Sequence, residues 1–162
     1  MVSVNVCAHM MHRRNDVHDA IASLCQQAQR PDQIVLVIDH DEELLACTTS
    51  ALSQWVVVVA NREARGLSGG RNTGVAAATR DLITFIDDGA VADASWLDIP
   101  LARCKGPDIL GASGCIDPLW AGLHPAWLPE EFLSATNSGF TTAKFERHWA
   151  SVEAKLRVGM AE

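Results

Sequence analysis

Short apolar runs alternate with helix-like segments over the first half of the chain, and no other feature restricts the fold as strongly. The runs are rich in β-branched residues and apolar at nearly every position, which is typical of strands covered on both faces. We predict four such strands, which are Val2–Ala8, Gln33–Ile38, residues 55–59 and residues 82–86. The intervals between them are long enough for crossover helices, so parallel pairing is expected.

Helical periodicity in the intervals supports this arrangement. A first helix is predicted to start with Asn15 or Asp16 as its cap, and a second covers residues 42–53. A third helix, with Ser68 as its N-cap, runs to about Thr79. Strands and helices in this order predict an α/β fold with a three-layer, doubly wound and mostly parallel sheet.

The second half of the chain gives weaker signals. Residues 94–104 indicate a short helix cut by Pro100, and residues 109–116 indicate a further strand. After these come a loop rich in Trp and Pro at residues 117–132 and an amphipathic helix at residues 141–157. The chain contains no internal repeat and no low-complexity segment.

Composition sets the number of domains and excludes one class of partner. With 162 residues, 48% of them apolar, the chain can bury a core of its own. We expect a single domain, with residues 1–116 as the α/β core and residues 117–162 as the Trp- and Pro-rich loop and C-terminal helix. The formal net charge of -7 argues against a nucleic-acid-binding protein, because such proteins carry clustered Lys and Arg.

Cysteine usage and hydropathy indicate a compartment. The five cysteines are odd in number and form no CxxC pair, so neither a disulfide framework nor a zinc site is expected. No signal peptide precedes the first apolar run, and no apolar stretch approaches the ~18 residues of a membrane-spanning helix. We expect a cytoplasmic protein without a transmembrane segment, at most peripheral at the membrane.

A glycine-rich turn opens the third predicted helix. Gly66, Gly69 and Gly70 would let an anion approach the backbone at a helix N-terminus, where free N–H groups and the helix dipole favour negative charge. Arg71 adds a planar cation suited to a phosphate or a base edge. The spacing is neither GxGxxG nor GxxxxGKS/T, which disfavours a dehydrogenase or a P-loop ATPase. The alternative is a plain helix cap.

Two adjacent carboxylates, Asp87 and Asp88, follow the fourth predicted strand. Like charges in a partly desolvated site repel each other and raise each other's pKa, a conflict that a divalent cation resolves. Mg²⁺ and Mn²⁺ take one or two protein oxygens and complete their shells with water and phosphate oxygens. The alternative is that both side chains merely cap a turn into Gly89.

The third helix and fourth strand resemble the signature of family 2 glycosyltransferases with the GT-A fold. In that family a GLSxARNxG helix precedes a strand ending in DxD-type aspartates, and here the stretch reads GLSGGRNTGVAAATRDLITFIDDGAV. The opening VSVNVCAHMMHRRNDVHDAIASLCQQ has the layout of the family's VSVVIPTYNR, and QIVLVIDHDEE has that of its IIVVDDGSxD strand. The segment DPLWAGLHPAWLPEEF is similar to a Trp- and Pro-rich segment of one branch, so the resemblance covers roughly residues 2–133.

The resemblance implies a nucleotide-sugar-binding core in residues 1–116 and, if the chain is complete, inverting transfer of the sugar. The acceptor would be a sugar, a polysaccharide or a polyprenyl phosphate. Carried over to this chain, Asp39 would contact the nucleotide base, Arg71 would lie near the base or diphosphate, and Asp87 would bind ribose. Asp88 would hold Mg²⁺ or Mn²⁺.

Other positions match the family's pattern less closely. Ala8 and His9 fall where the family's PTY triplet helps hold the base, so the resemblance implies base contacts there and leaves the base open. Gly69 and Gly70 would face the phosphates. Gly89 stands where many relatives carry a third acidic residue, and metal binding is expected to be weaker in consequence.

The residue that activates the acceptor is unassigned. By resemblance, the catalytic base is a carboxylate beyond the Trp- and Pro-rich segment, and no counterpart follows Leu133. Glu130 and Glu131 come too early and are interpreted as surface charges. The chain is therefore expected to be truncated, or to be a degenerate relative that binds nucleotide without turnover. An unrelated α/β binding domain with structural carboxylates is a third interpretation.

Overall fold

One sheet contains all the strands of the described part of the chain. The computed structural model describes residues 1–52, 56–104, 111–112 and 142–144. The strands are β1 (Val2–Ala8), β2 (Gln33–Ile38), β3 (Val57–Ala60), β4 (Leu82–Asp87), β5 (Gly111–Ala112) and β6 (Thr142–Lys144). Their order across the sheet is β3-β2-β1-β4-β6-β5.

The four strands of the first half pair in parallel, as the sequence predicts. β1 lies between β2 and β4, and Val6 stands opposite Leu36 on one side and Ile86 on the other. β2 pairs in parallel with β3, whereas β6 pairs antiparallel with β4 and β5. The carboxyl ends of β1 to β4 therefore meet at one edge of a mostly parallel sheet.

Helices lie on both faces of this sheet, which confirms the doubly wound, three-layer prediction. They are α1 (Arg14–Cys25), α2 (Glu42–Leu52), α3 (Leu67–Ala77) and α4 (Asp98–Arg103). A 3₁₀ turn, Met11–Arg13, leads into α1. Among the described helices, none is long and apolar enough to cross a membrane.

The main core lies between the sheet and helices α1 and α2. Alternate residues of the central strands point to this face, and they are buried together with Val17, Ile21 and Leu24 of α1 and Leu44 of α2. From β1 and β2 the core receives Val2, Val4, Val6, Ala8, Ile34, Leu36 and Ile38. Full burial of one such branched side chain contributes about 1.5–3 kcal/mol, so this face supplies much of the fold's stability.

Helix α3 covers the opposite face and approaches it closely through glycines. A Cβ on Gly70 would lie 3.3 Å from the Cys7 sulfur, and one on Gly74 would overlap the Asn5 side chain. Larger residues at these positions would push α3 away from β1. The close contact fixes the N-terminus of α3 beside the carboxyl end of the sheet.

Two predicted helix caps are wrong by two or three residues. α1 begins at Arg14, so Asn15 and Asp16 lie in its first turn. α3 begins at Leu67, so Ser68 lies inside the helix, and Gly66 is the N-cap with φ 126°. Gly66 is required there because the chain must adopt a positive φ to enter the helix, a conformation that few other residues tolerate.

The later elements also differ from the prediction. Pro100 is the third residue of α4 and does not cut it, since the first-turn N–H groups of a helix have no intrahelical partner to lose. Thr142–Lys144 forms β6, where the sequence predicts the start of a helix, because this segment pairs with the outer edge of β4. Of the predicted strand 109–116, residues 111–112 form β5, and the remainder lies outside the described residues.

The predicted Trp- and Pro-rich loop at residues 117–132 and the rest of the predicted amphipathic helix also lie outside the described residues. The proposed division at residue 116 therefore stays a prediction.

Candidate functional site

A cleft of about 500 Å³ opens at the carboxyl edge of the sheet. It lies at the ends of β1 and β4, where the strand order reverses, since the chain leaves β1 toward β2 and returns on the other side as β4. Ligands of open α/β sheets bind at such switch points. Most of the predicted site residues line the cleft, namely Ala8, His9, Asp39, Gly70, Asp87 and Asp88.

The other two predicted residues lie behind the cleft wall. Gly69 packs so closely against the backbone of Ala64 that a Cβ there would overlap its carbonyl oxygen. Arg71 stacks over the Phe85 ring, with 5.6 Å from its Cζ to the ring centroid, and its Nη2 lies 3.6 Å from Asp87 Oδ1. Arg71 therefore contacts a residue that lines the cleft, Asp87, and Gly69 directly precedes another, Gly70.

Asp39 is a buried carboxylate whose two oxygens are engaged by the protein itself. Oδ1 accepts a hydrogen bond of 2.6 Å from Asn61 Nδ2 and lies 2.8 Å from His40 Nδ1, and Oδ2 accepts one of 2.8 Å from the Gly66 N–H. Burial acts to raise the pKa of Asp39, but these hydrogen bonds outweigh it and the pKa is lowered. Asp39 thus joins the end of β2 to the turn that starts α3.

Asn61, which follows β3, completes this junction and is missing from the sequence-based site. Its amide nitrogen donates to Asp39 and, at 3.1 Å, to the Ala64 carbonyl. Its amide oxygen accepts from the Glu63 N–H at 2.9 Å and from the Thr73 hydroxyl at 2.8 Å. The side chain therefore ties β2, the turn and α3 together. Its place directly after a buried parallel strand was the available signal.

The N-terminus of α3 faces the cleft, because Gly66, Leu67 and Gly70 all line it. The first-turn N–H groups of a helix have no intrahelical acceptors, and the helix dipole adds partial positive charge there. This end of the cleft is therefore suited to an anion such as a phosphate.

Asp88 is the second buried carboxylate of the cleft, and only one of its oxygens is engaged. Oδ1 lies 3.1 Å from Arg13 Nη1, whereas Oδ2 is buried without a hydrogen-bond partner among the described residues. Burial raises the pKa of Asp88 despite the opposing effect of the Arg13 guanidinium. A buried, unpartnered carboxylate oxygen is unfavourable unless a cation or a donor completes it.

Asp87 differs from its neighbour in exposure. Its side chain is 71% exposed, against 7% for Asp88. The turn after β4 is closed by a backbone hydrogen bond from the Ala90 N–H to the Asp87 carbonyl. The carboxylates are therefore not needed to cap that turn.

These carboxylates fit a divalent cation that is completed by a ligand. Within the described residues, no three His, Cys, Asp or Glu side chains lie close enough together to hold a metal by themselves. Mg²⁺ and Mn²⁺ do not need such a cage, because they bind through one or two carboxylates plus phosphate oxygens and water. The unpartnered Asp88 Oδ2 is free to act as one such ligand, next to the solvent-exposed Asp87.

Two further residues of the cleft carry no predicted role. Burial raises the pKa of the Cys7 thiol to about 12, so it is neutral and unreactive near pH 7. Arg13 also lines the cleft, and its Nη2 lies against the Cα of Gly89 closely enough to collide with any side chain placed there. No local sequence pattern indicates the contact between Arg13 and Asp88, because these residues are far apart in the chain.

Comparison with known proteins identifies related chains. The profile of glycosyl transferase family 2 matches residues 3–147. A glucosyl-dolichyl phosphate glucuronosyltransferase from Haloferax volcanii is 31% identical over 134 residues, which covers 81% of this chain and 43% of that protein. The profile match includes every residue that lines the cleft.

Among solved structures, the mannosyltransferase PcManGT from Pyrobaculum calidifontis, in complex with GDP-Man and Mn²⁺, has a similar fold. It superposes with a TM-score of 0.60 at 17% identity, covering 72% of this chain and 35% of that one. At this identity the similarity concerns the fold, which is GT-A. The chain spans less than half the length of either relative.

Proposed function

This chain belongs to glycosyltransferase family 2, and on that premise we propose that its cleft binds a nucleoside-diphosphate sugar together with Mg²⁺ or Mn²⁺. One observation carries the proposal. A buried aspartate with an unpartnered oxygen, Asp88, lies at the switch point of the sheet, in the same cleft as the N-terminus of α3. A cation and a diphosphate are the ligands that such a pair of features accommodates.

The proposed roles follow from position and exposure. Asp88 holds the cation through Oδ2, and the exposed Asp87 of the DxD-type motif accepts hydrogen bonds from ribose hydroxyls. The N-terminal turn of α3, with Gly69 and Gly70, lies on the phosphate side, where its N–H groups oppose negative charge. Together these residues would form the part of the donor site that is nearest the metal.

The base is proposed to lie at the ends of β1 and β2. Ala8 and His9 line the cleft there, and Asp39 lies beside them with its carboxylate already fixed by Asn61 and Gly66. Asp39 would therefore act on the base as a rigid acceptor that does not need to reorganise. Arg71 holds Asp87 and keeps the metal side of the cleft in place.

Sugar transfer is proposed as the reaction that this donor site serves. The cation, when bound, neutralises the charge that develops on the departing diphosphate. The chain's own residues hold the donor, and Asp88 fixes the cation beside the leaving group. Inversion at the anomeric carbon is proposed from the family resemblance. The acceptor is proposed to be a polyprenyl-phosphate-linked sugar, of the class named in the Haloferax volcanii relative.

Isothermal titration calorimetry tests the donor site. UDP, GDP, ADP and CDP are titrated into the wild type and into Asp88→Asn, each with Mn²⁺ and with EDTA. At least one diphosphate is expected to bind the wild type more tightly with Mn²⁺, and the metal-dependent gain is expected to vanish in Asp88→Asn. If no nucleoside diphosphate binds under either condition, the proposal fails.

Turnover is measured separately from binding. The matching nucleotide-sugar is incubated with Mn²⁺, and release of the nucleoside diphosphate is followed with and without a polyprenyl-phosphate-linked sugar. Release that depends on the acceptor supports a transferase. Donor binding without release supports a nucleotide-binding relative that does not turn over.

A further inference from the structure

Among the described residues, Arg13 forms the ion pair with Asp88, one of the two buried carboxylates of the cleft. Its Nη1 lies 3.1 Å from Asp88 Oδ1, and its Nε donates to Asp16 Oδ2 at 3.2 Å. The side chain also lines the cleft and is 34% exposed. A guanidinium held in this way is fixed in orientation without being fully enclosed.

These two contacts leave donors to spare. A guanidinium carries five N–H groups in a planar fork, and the contacts to Asp16 and Asp88 use only part of them. Because Arg13 lines the cleft, its remaining N–H groups are the ones available to a ligand there. Planar, paired N–H groups are well matched to phosphate oxygens.

Gly89 makes room for this arrangement. A Cβ built on Gly89 would overlap Arg13 Nη2. The connection between β1 and α1, which carries Arg13, therefore meets the turn after β4 at this point. A larger residue at position 89 would require the end of the Arg13 side chain to move.

We propose that Arg13 binds the diphosphate of the donor and shares Asp88 with the metal. Its guanidinium holds Asp88 Oδ1, which leaves Oδ2 for the cation, and its remaining N–H groups contact the phosphates. This inference rests on the proposed donor site and assigns a second, protein-borne positive charge to it.

The rival explanation is a structural one, in which Arg13 only anchors the start of α1 to the end of β4. The two explanations differ in the sign of one effect. If Arg13 contacts the diphosphate, its loss weakens diphosphate binding but removes a like charge from beside the metal, so Mn²⁺ alone binds as tightly or more tightly. If Arg13 only supports Asp88, its loss displaces that carboxylate, and binding of Mn²⁺ and of diphosphate falls together.

The experiment compares Arg13→Gln with Arg14→Gln. Arg14 is exposed and does not line the cleft, so the second substitution removes the same charge outside the site. Calorimetry with UDP and UMP, and with GDP and GMP, is performed at saturating Mn²⁺, and Mn²⁺ alone is titrated in a separate series. For the nucleotide that binds the wild type, Arg13→Gln is expected to lose about tenfold in diphosphate affinity, the order of one charge-assisted hydrogen bond. The monophosphate is expected to lose less, and Mn²⁺ alone is expected to lose nothing.

Two results would overturn the inference while leaving the donor site intact. One is equal diphosphate affinity in Arg13→Gln and Arg14→Gln, and the other is a parallel loss of Mn²⁺ and diphosphate in Arg13→Gln. A wild type that binds no nucleoside diphosphate would instead refute the proposed function. Arg13→Lys, which keeps the charge without the planar fork, is expected to retain part of the diphosphate affinity and provides a second variant if Arg13→Gln does not fold.

Discussion

The two buried aspartates of the cleft, Asp39 at the end of β2 and Asp88 after β4, differ in how many of their carboxylate oxygens have partners and in the direction of their pKa shifts. Both oxygens of Asp39 are occupied by protein groups, and its pKa is lowered. Asp88 has one oxygen held by Arg13 and one without a partner among the described residues, and burial raises its pKa. The difference distinguishes a carboxylate that protein groups complete from one whose second oxygen has no partner among the described residues, and we propose that this oxygen binds the ligand.

Stability and binding should therefore separate between the two positions. A carboxylate saturated by internal hydrogen bonds stabilises the fold, whereas a buried carboxylate with an unpartnered oxygen destabilises it in the absence of a ligand. The same substitution, Asp→Asn, keeps the shape at both positions and removes the charge. It is the matched change that tests the comparison.

Asp39→Asn is expected to have the largest effect, a loss of about 3 kcal/mol in the free energy of unfolding. Both oxygens of Asp39 accept from N–H groups, so the new amide NH₂ must face a donor in either orientation. Urea unfolding of the wild type, Asp39→Asn and Asp88→Asn measures this. Equal losses in the two variants would contradict the comparison.

Asp88→Asn is expected to reduce the metal-dependent affinity for a nucleoside diphosphate by about 100-fold, because the substitution removes the carboxylate that is proposed to bind the metal. Its free energy of unfolding should stay within about 1 kcal/mol of the wild type or rise, because a buried charge is removed. Calorimetry with Mn²⁺ measures the binding, and Asp19→Asn on the exposed face of α1 is the control. Undiminished binding in Asp88→Asn would place the metal elsewhere.

Asn61→Ala is expected to lower the free energy of unfolding by about 2 kcal/mol, a smaller effect than that of Asp39→Asn. The substitution removes the amide that bonds Asp39, the Ala64 carbonyl and the Thr73 hydroxyl. Asn72→Ala, at an exposed position of α3, is the control. Thermal or urea unfolding of the two variants measures this loss. Similar stabilities of Asn61→Ala and Asn72→Ala would show that the hydrogen bonds of Asn61 contribute little to stability.

The pH dependence of the Asp39 contribution is the smallest effect. Because the folded-state pKa lies below its ordinary value of 3.8, the stabilisation is complete above that pH and is lost as the pH falls through the folded-state pKa. The difference in unfolding free energy between wild type and Asp39→Asn should shrink on acidification from pH 7 to pH 3. A difference that grows on acidification would contradict the direction of the shift.

Much of the fold could be predicted because its signals are local. The β-branched runs of β1, β2 and β4 and the small residues of α3 determine strand positions and helix packing within short windows. The errors fall where tertiary contacts decide. The positive φ of Gly66 sets the start of α3, and edge pairing with β4 makes Thr142–Lys144 a strand.

The site was predicted as far as position in the fold determines it. Asp39, Asp87 and Asp88 follow parallel strands, and a parallel sheet brings those ends together. Asn61 obeys the same rule and was overlooked because it carries no charge. Arg13 could not be found in this way, since its contacts with Asp88 and Gly89 join segments that are distant in sequence and depend on how α1 begins.

The most direct test of the central claim is a crystal structure of the protein with Mn²⁺ and the nucleoside diphosphate that binds best, with manganese located by anomalous scattering. One manganese peak is expected at Asp88 Oδ2, with a diphosphate oxygen as a further ligand and the phosphates facing the N-terminus of α3. A nucleotide bound outside this cleft, or manganese bound away from Asp88, would contradict it.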